Sequence, residues 1–290
     1  AGLLPRVLAD FFVALLIASL ATLLLETRLT RQQLEEQAVT LFRETGDVLE
    51  ARIASDAVLT NQLMSTVSQQ VFAASRGSDA DADELARRTL SVVRTSDAPL
   101  EIAGVVDVAT GEVRSLGLPS RAGLLPPDPA DAAEVARRAS SSQRVVPLRG
   151  GGFGLVYALA VERLGSGVRL LVTGFPLNGV AARRYLEQTG VDEVELVVGG
   201  EVVAATTADR VGGEPVGRWE GSRSTQRLAD GRLVRYVALG ADRAWDVPAA
   251  VGLVTDDPLD ALDVALSRTR VLTVVLTVLL AGAGTFGLAR

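Results

Sequence analysis

The chain has 290 residues, 29 basic against 35 acidic side chains and a net charge of −6, with no His and no Cys. This excludes a Ser-His-Asp triad, a histidine-ligated zinc site, a phosphoaccepting histidine, thiolate metal ligation and a disulfide framework. Every basic residue is Arg, and the acidic balance offers no electrostatic footprint for nucleic acid. No Walker loop or dinucleotide fingerprint is present, and Gly150-Gly151-Gly152-Phe153-Gly154 lacks the following Lys and reads as a tight turn. The acidic residues single out no carboxylate pair. No catalytic residue, metal or cofactor is expected.

The first feature in chain order is an uncharged apolar run, residues 11–25. It reaches membrane-spanning length when Val7–Ala9 and Asp10 are placed at one interface. A cleaved signal peptide ending at Ser19-Leu20-Ala21 is the alternative, but the run continues through Thr22-Leu23-Leu24-Leu25, which favours a retained anchor. From 26 to 75 there is no Pro, and apolar residues recur at three- and four-residue steps: Leu34, Ala38, Leu41, Val48, Ile53, Val58, Leu63, Val67 and Val71. This predicts one amphipathic helix continuous with the first span, about 75 Å long, with Gly46 as the point where it bends. Such a stripe is too long to bury on a small domain alone. Part of it is expected on a second copy, in a parallel homodimer, with the chain's own sheet as the competing cover.

Residues 77–83 form an acidic connector whose alternating aspartates lack a calcium loop's glycine and terminal Glu in register. A turn capping a helix at 84–93 is the expectation there. After Pro99 the period becomes two. Strands are predicted at 101–108, 113–116, 144–148, 153–161 and 168–173, with a Pro-rich loop and a short helix (130–139) between the second and third. A helix over 177–188 ends at Thr189-Gly190. The order then repeats, with strands at 194–198 and 201–205 joined by Gly199-Gly200, a loop over 209–222, and strands at 224–228, 233–239 and 247–254. Asp257-Pro258 opens a last helix that runs into a second apolar run, 271–289, roughly 28 Å long and bounded by Arg270 and Arg290. Within it Gly282, Ala283, Gly284 and Gly287 make a small-residue surface suited to close helix packing.

A long helix, two five-stranded antiparallel units each opened by a hairpin, and a helix returning to the membrane resemble the double Cache sensor family, whose units are PAS-like. Residues 104–113 resemble the hairpin of the membrane-distal unit, 194–205 its membrane-proximal counterpart, and 245–259 the closing strand and exit helix. The fold class expected is therefore α+β: a long N-terminal helix and two PAS-like antiparallel sheet modules, flanked by two transmembrane helices. The corresponding divisions are 1–27, 28–97, 98–189, 190–257 and 258–290. The resemblance implies an extracytoplasmic ligand sensor, a homodimer in the inner membrane with two passes. Its cytoplasmic output beyond Arg290 would be a histidine kinase of a two-component system, or else a diguanylate cyclase. A non-signalling envelope protein that binds a partner is the alternative.

The aromatic residues that amino-acid-binding Cache pockets use are missing from 128–148, which holds Arg137, Arg138 and Arg144 but no aromatic side chain. On the strand 153–161, Phe153, Leu155, Tyr157, Leu159 and Val161 share one face, and Tyr157 alone has a polar tip. Tyr157, Arg144 and the hairpin residue Asp107 are the candidate ligand contacts for an unidentified small molecule. Core packing for Tyr157 and solvation for Arg144 are the competing readings.

Overall fold

The computed structural model describes residues 3–74, 82–95, 100–115, 142–164, 167–219, 224–240 and 248–257. Helix α1 (Leu3–Ala74) runs 72 residues without interruption, so the apolar run 11–25 and the amphipathic stretch form one element. The helix continues through Gly46, the point where the sequence predicts a bend. The single stripe expected on it also divides. Leu49, Ile53, Met64, Val67 and Val71 are buried, whereas Leu34, Leu41, Val48 and Val58 are exposed. Neighbours such as Val48 and Leu49 differ by about 100° around a helix, so one period of apolar residues can serve two faces.

Helix α2 (Ala82–Thr95) buries Ala82, Leu85, Ala86 and Leu90 and carries Asp83 and Glu84 in its first turn, where acidic groups complement the helix dipole. Five antiparallel strands follow: β1 (Ile102–Asp107), β2 (Val113–Ser115), β3 (Ser142–Pro147), β4 (Phe153–Leu164) and β5 (Gly167–Pro176). Their order across the sheet is β2-β1-β5-β4-β3. Helix α3 (Gly179–Thr189) starts two residues later than the sequence suggests. Asn178 is its N-cap, and its Oδ1 accepts from the amides of Val180 at 3.0 Å and Ala181 at 3.1 Å.

The second sheet contains β6 (Glu193–Val198), β7 (Glu201–Ala205), β8 (Gln226–Arg227), β9 (Leu233–Leu239) and β10 (Ala249–Thr255), in the order β7-β6-β10-β9-β8. The two orders are the same. In each, a hairpin forms one edge and the last strand inserts beside its first member. Gly199 and Gly200 join β6 to β7 with φ of 62° and 89°, the left-handed pair a two-residue hairpin needs. The strand predicted over 224–228 shrinks to the two residues of β8. A long helix with two five-stranded antiparallel sheets is thus the observed architecture, as the resemblance implies.

By compactness the chain falls into two units. One comprises 43–228 and 233–255 and holds both sheets, and the other holds the N-terminal part of α1. The expected helix at 130–139, Trp245, the exit helix from Pro258 and the second span with Gly282, Ala283, Gly284 and Gly287 lie outside the described residues. So do 77–81 of the acidic connector and many side chains of 11–25. Among the described residues no helix is long and apolar enough to cross a membrane.

Candidate functional site

Strand alternation decides which candidate residues of the first sheet can meet. Tyr157 pairs with Gln143 on β3 and Thr173 on β5, while Arg144 pairs with Val156, which pairs with Gly174. Paired residues share a face and successive residues do not, so Tyr157 and Arg144 point to opposite sides of the sheet. Tyr157 shares its side with Leu155 and Phe175, the face expected from the sequence. There it is covered rather than open. The Arg184 guanidinium of α3 stacks 4.5 Å from the Phe175 ring centre and 5.4 Å from that of Tyr185.

Tyr157 is 3% exposed, and burial, Tyr185 and the carboxylate of Asp56 on α1 push its hydroxyl far above the usual tyrosine range. Burial likewise pushes Tyr185 up to about 12, although the Arg184 charge pulls the other way. Both phenols stay neutral at physiological pH and act as hydrogen-bonding groups. Arg184 on α3 and Asp56 on α1 are thus the charges that bear on the two phenols of this face.

Arg144 is 0% exposed. Solvation, the competing reading from sequence, is therefore overturned. Its side of the sheet is the apolar one, shared with Ile102, Val146, Val156, Ala158 and Val172. A guanidinium can be held in such surroundings only with polar compensation, and Arg144 has an interaction partner within the chain.

Asp107 ends β1 and serves its turn. Its Oδ1 accepts from the amides of Ala109 at 2.9 Å and Thr110 at 3.1 Å, and its Oδ2 lies 3.4 Å from Nε of Arg169. Partial burial pushes its carboxyl up, but the two amides and Arg169 outweigh this and hold it below the usual carboxylate range. In register it lies level with Arg169 and Val161, about 13 Å along β4 from Tyr157. The three candidates thus occupy three separate places on the first sheet. Among the described residues no group of His, Cys, Asp or Glu is arranged to hold a metal ion.

The second sheet holds two polar clusters that sequence reasoning passed over. On one face Glu195, Gly252 and Tyr236 stand side by side on β6, β10 and β9. Glu195 is 0% exposed, and Tyr236 donates its hydroxyl to Oε1 at 2.6 Å. The Val216 amide donates to the same oxygen at 3.1 Å, and Arg210 lies 3.4 Å from Oε2. The Gly217 amide donates to the Tyr236 hydroxyl at 3.0 Å. Burial and the Glu195 carboxylate raise the Tyr236 phenol well beyond its ordinary value. A Cβ at Gly252 would sit 2.7 Å from Glu195 Cγ and 2.7 Å from Tyr236 Cε1, so the row closes only around glycine. Val216 and Trp219 pack on the apolar residues of this face. The loop after β7 therefore fills the face itself. A Glu between Val194 and Leu196 in an apolar strand was the available signal.

On the opposite face β9 carries Arg235, buried against α1. Nη1 of Arg235 donates to the main-chain carbonyl of Arg43 at 2.8 Å, and Nη2 pairs with the Asp47 carboxylate. Gly46 lies between these partners, and a Cβ there would collide with Cδ and Nε of Arg235. This is why the glycine stands in the middle of an unbroken helix. It provides a seat for a guanidinium.

No protein-family model and no curated protein matches the sequence. Among solved structures, the fold is similar to the ligand-binding domain of the Pseudomonas fluorescens chemoreceptor CtaA in complex with L-isoleucine. That match has 15% identity over 84% of this chain and 98% of that one, with a TM-score of 0.48. It is also similar to the ligand-binding domain of the Pseudomonas aeruginosa amino acid chemoreceptor PctC in complex with GABA, at 14% identity, 75% and 99% coverage and a TM-score of 0.48. The Vibrio cholerae LuxQ periplasmic domain matches at 16% identity, 77% and 98% coverage and a TM-score of 0.43. At such identities and superpositions these likenesses assign neither ligand nor site.

Proposed function

We propose that this chain is the extracytoplasmic sensory input region of a dimeric transmembrane receptor. It binds a small molecule and passes the resulting movement through the second apolar run, 271–289, to a cytoplasmic output. A histidine kinase is the favoured output, and a diguanylate cyclase the next. The observation that carries the reading is α1 itself: one uninterrupted helix joins the apolar run 11–25 to two sheets of identical strand order. A helix of this kind transmits small displacements along its axis, whereas a loop would absorb them. The chain itself carries no chemistry in this reading; it binds and relays.

Within the first sheet, the face bearing Arg144 is the reading's ligand face. A buried guanidinium on an apolar surface is suited to a compact anion such as a carboxylate. Tyr157 and Asp107 then support the sheet rather than touch the ligand. Small residues of the second run, among them Gly282, Ala283, Gly284 and Gly287, give that helix a close-packing surface towards its copy.

The test is a thermal-shift screen of the full chain in lipid nanodiscs against small carboxylates and matched neutral metabolites. A ligand at a hundred times its Kd stabilises the folded state by about 2.7 kcal/mol, which is a readily measured rise in Tm. The expected hit is an anion whose effect is lost in Arg144→Met. If no compound moves the transition, a partner-binding envelope protein becomes the better description.

A further inference from the structure

The seat of Arg235 on α1 has a geometry that admits only one register. Its three components fall on one helical turn: the carbonyl of Arg43, the bare backbone at Gly46, and the carboxylate of Asp47. Sliding α1 by one residue moves it about 1.5 Å along and 100° around its axis. That brings the side chain of Thr45 or Asp47 to the place where only glycine fits and puts Gly46 or Val48 where the Asp47 carboxylate was, although the helix repeat supplies another main-chain carbonyl in place of that of Arg43. Arg235 itself is 3% exposed and is fixed in the middle of β9 by pairing with Leu253 of β10. Its planar fork engages two acceptors at once, which a lysine ammonium at the end of a flexible stem does not reproduce.

We propose that Arg235 locks the axial and rotational register of α1 on the second sheet, and that β9 is the strand through which movement of that sheet passes to α1. The second half rests on the sensor reading above; the first half stands without it. The device has two parts that can be removed separately, the charge on the strand and the gap on the helix.

Because the chain has no Cys, two engineered cysteines define a spin-label pair without background. Ala54 on α1, away from the row Leu34, Leu41 and Val48, and Glu201 on β7 are both exposed, so Ala54→Cys and Glu201→Cys report the helix against the sheet. The experiment is a double electron–electron resonance measurement on the full chain in nanodiscs, with labelled chains diluted in unlabelled ones so that only intrachain distances register. The otherwise unchanged chain is expected to give one narrow distance. Arg235→Ala, Arg235→Lys and Gly46→Ala are expected to broaden it or add a second distance displaced by up to one turn, about 5 Å. An unchanged narrow distance in the folded Arg235→Ala variant overturns the proposal. If that variant does not fold, Gly46→Ala decides, since it favours the helix intrinsically and leaves all charges in place. Broadening then supports the lock, and an unchanged distance overturns it. No ligand enters the measurement, so failure of the sensor reading leaves its outcome untouched.

Discussion

Asp107 shows how one side chain sets a pH dependence. An unfolded aspartate titrates near about 3.9, and in the fold the turn amides and Arg169 hold Asp107 lower. Between the two values the unfolded chain binds more protons than the native one, so stability rises with pH across that window. The contribution is complete above the unfolded value and disappears as pH falls through the folded one. Asp107→Asn should therefore be less stable than the parent at pH 7, with the gap closing in acid. Urea unfolding at neutral pH and at about pH 3 checks this. At this scale the sequence spoke unevenly. Alternation alone placed Tyr157 on the face with Leu155, because a period of two is a local property. Whether that face is open or covered depends on α1 and α3, which arrive from 100 residues upstream and from beyond β5. Arg144 could be read as solvated because its strand gives no sign that the apolar face closes around it.

The elements themselves were largely legible. Glycine-rich turns and runs of Val, Leu and Ile marked most of the described strands, since hairpin chemistry and burial act over a few residues. Two exceptions are instructive. β8 is only two residues long, Gln226 and Arg227 pairing with Val234 and Leu233 of β9, where five were expected. Helix α1 was recognised, but its stripe was read as one surface when it is two. The distinction has a measurable consequence. Met64→Ala removes a buried side chain with 0% exposure and should cost about 2–5 kcal/mol of unfolding free energy. Val58→Ala, on the exposed side, should change it by no more than about 0.5 kcal/mol. Chemical denaturation of the two variants separates the faces directly. Equal losses would mean that the division of α1 into two faces is wrong.

At the scale of the whole molecule, the exposed set Leu34, Leu41 and Val48 recurs at steps of seven, the repeat of a helix paired with its copy. In the homodimer proposed above, these residues form the seam. Replacing Leu41 and Val48 together by Ser is expected to convert dimer to monomer in analytical ultracentrifugation while leaving the circular dichroism of the helix unchanged. A variant that remains dimeric would move the interface elsewhere.

One consequence of α1 reaches further than the dimer. Asp56 on this helix bears on Tyr157 and Tyr185 beside the first sheet, and Arg43, Gly46 and Asp47 receive Arg235 from the second. Both the Asp56 charge and the seat of Arg235 fall on one stretch of fewer than four turns. Under the sensor reading proposed above, a change in either sheet would reach α1 without first crossing the other. In that reading two inputs would add on one shaft, and a disturbance of the second sheet would raise or cancel what the first delivers.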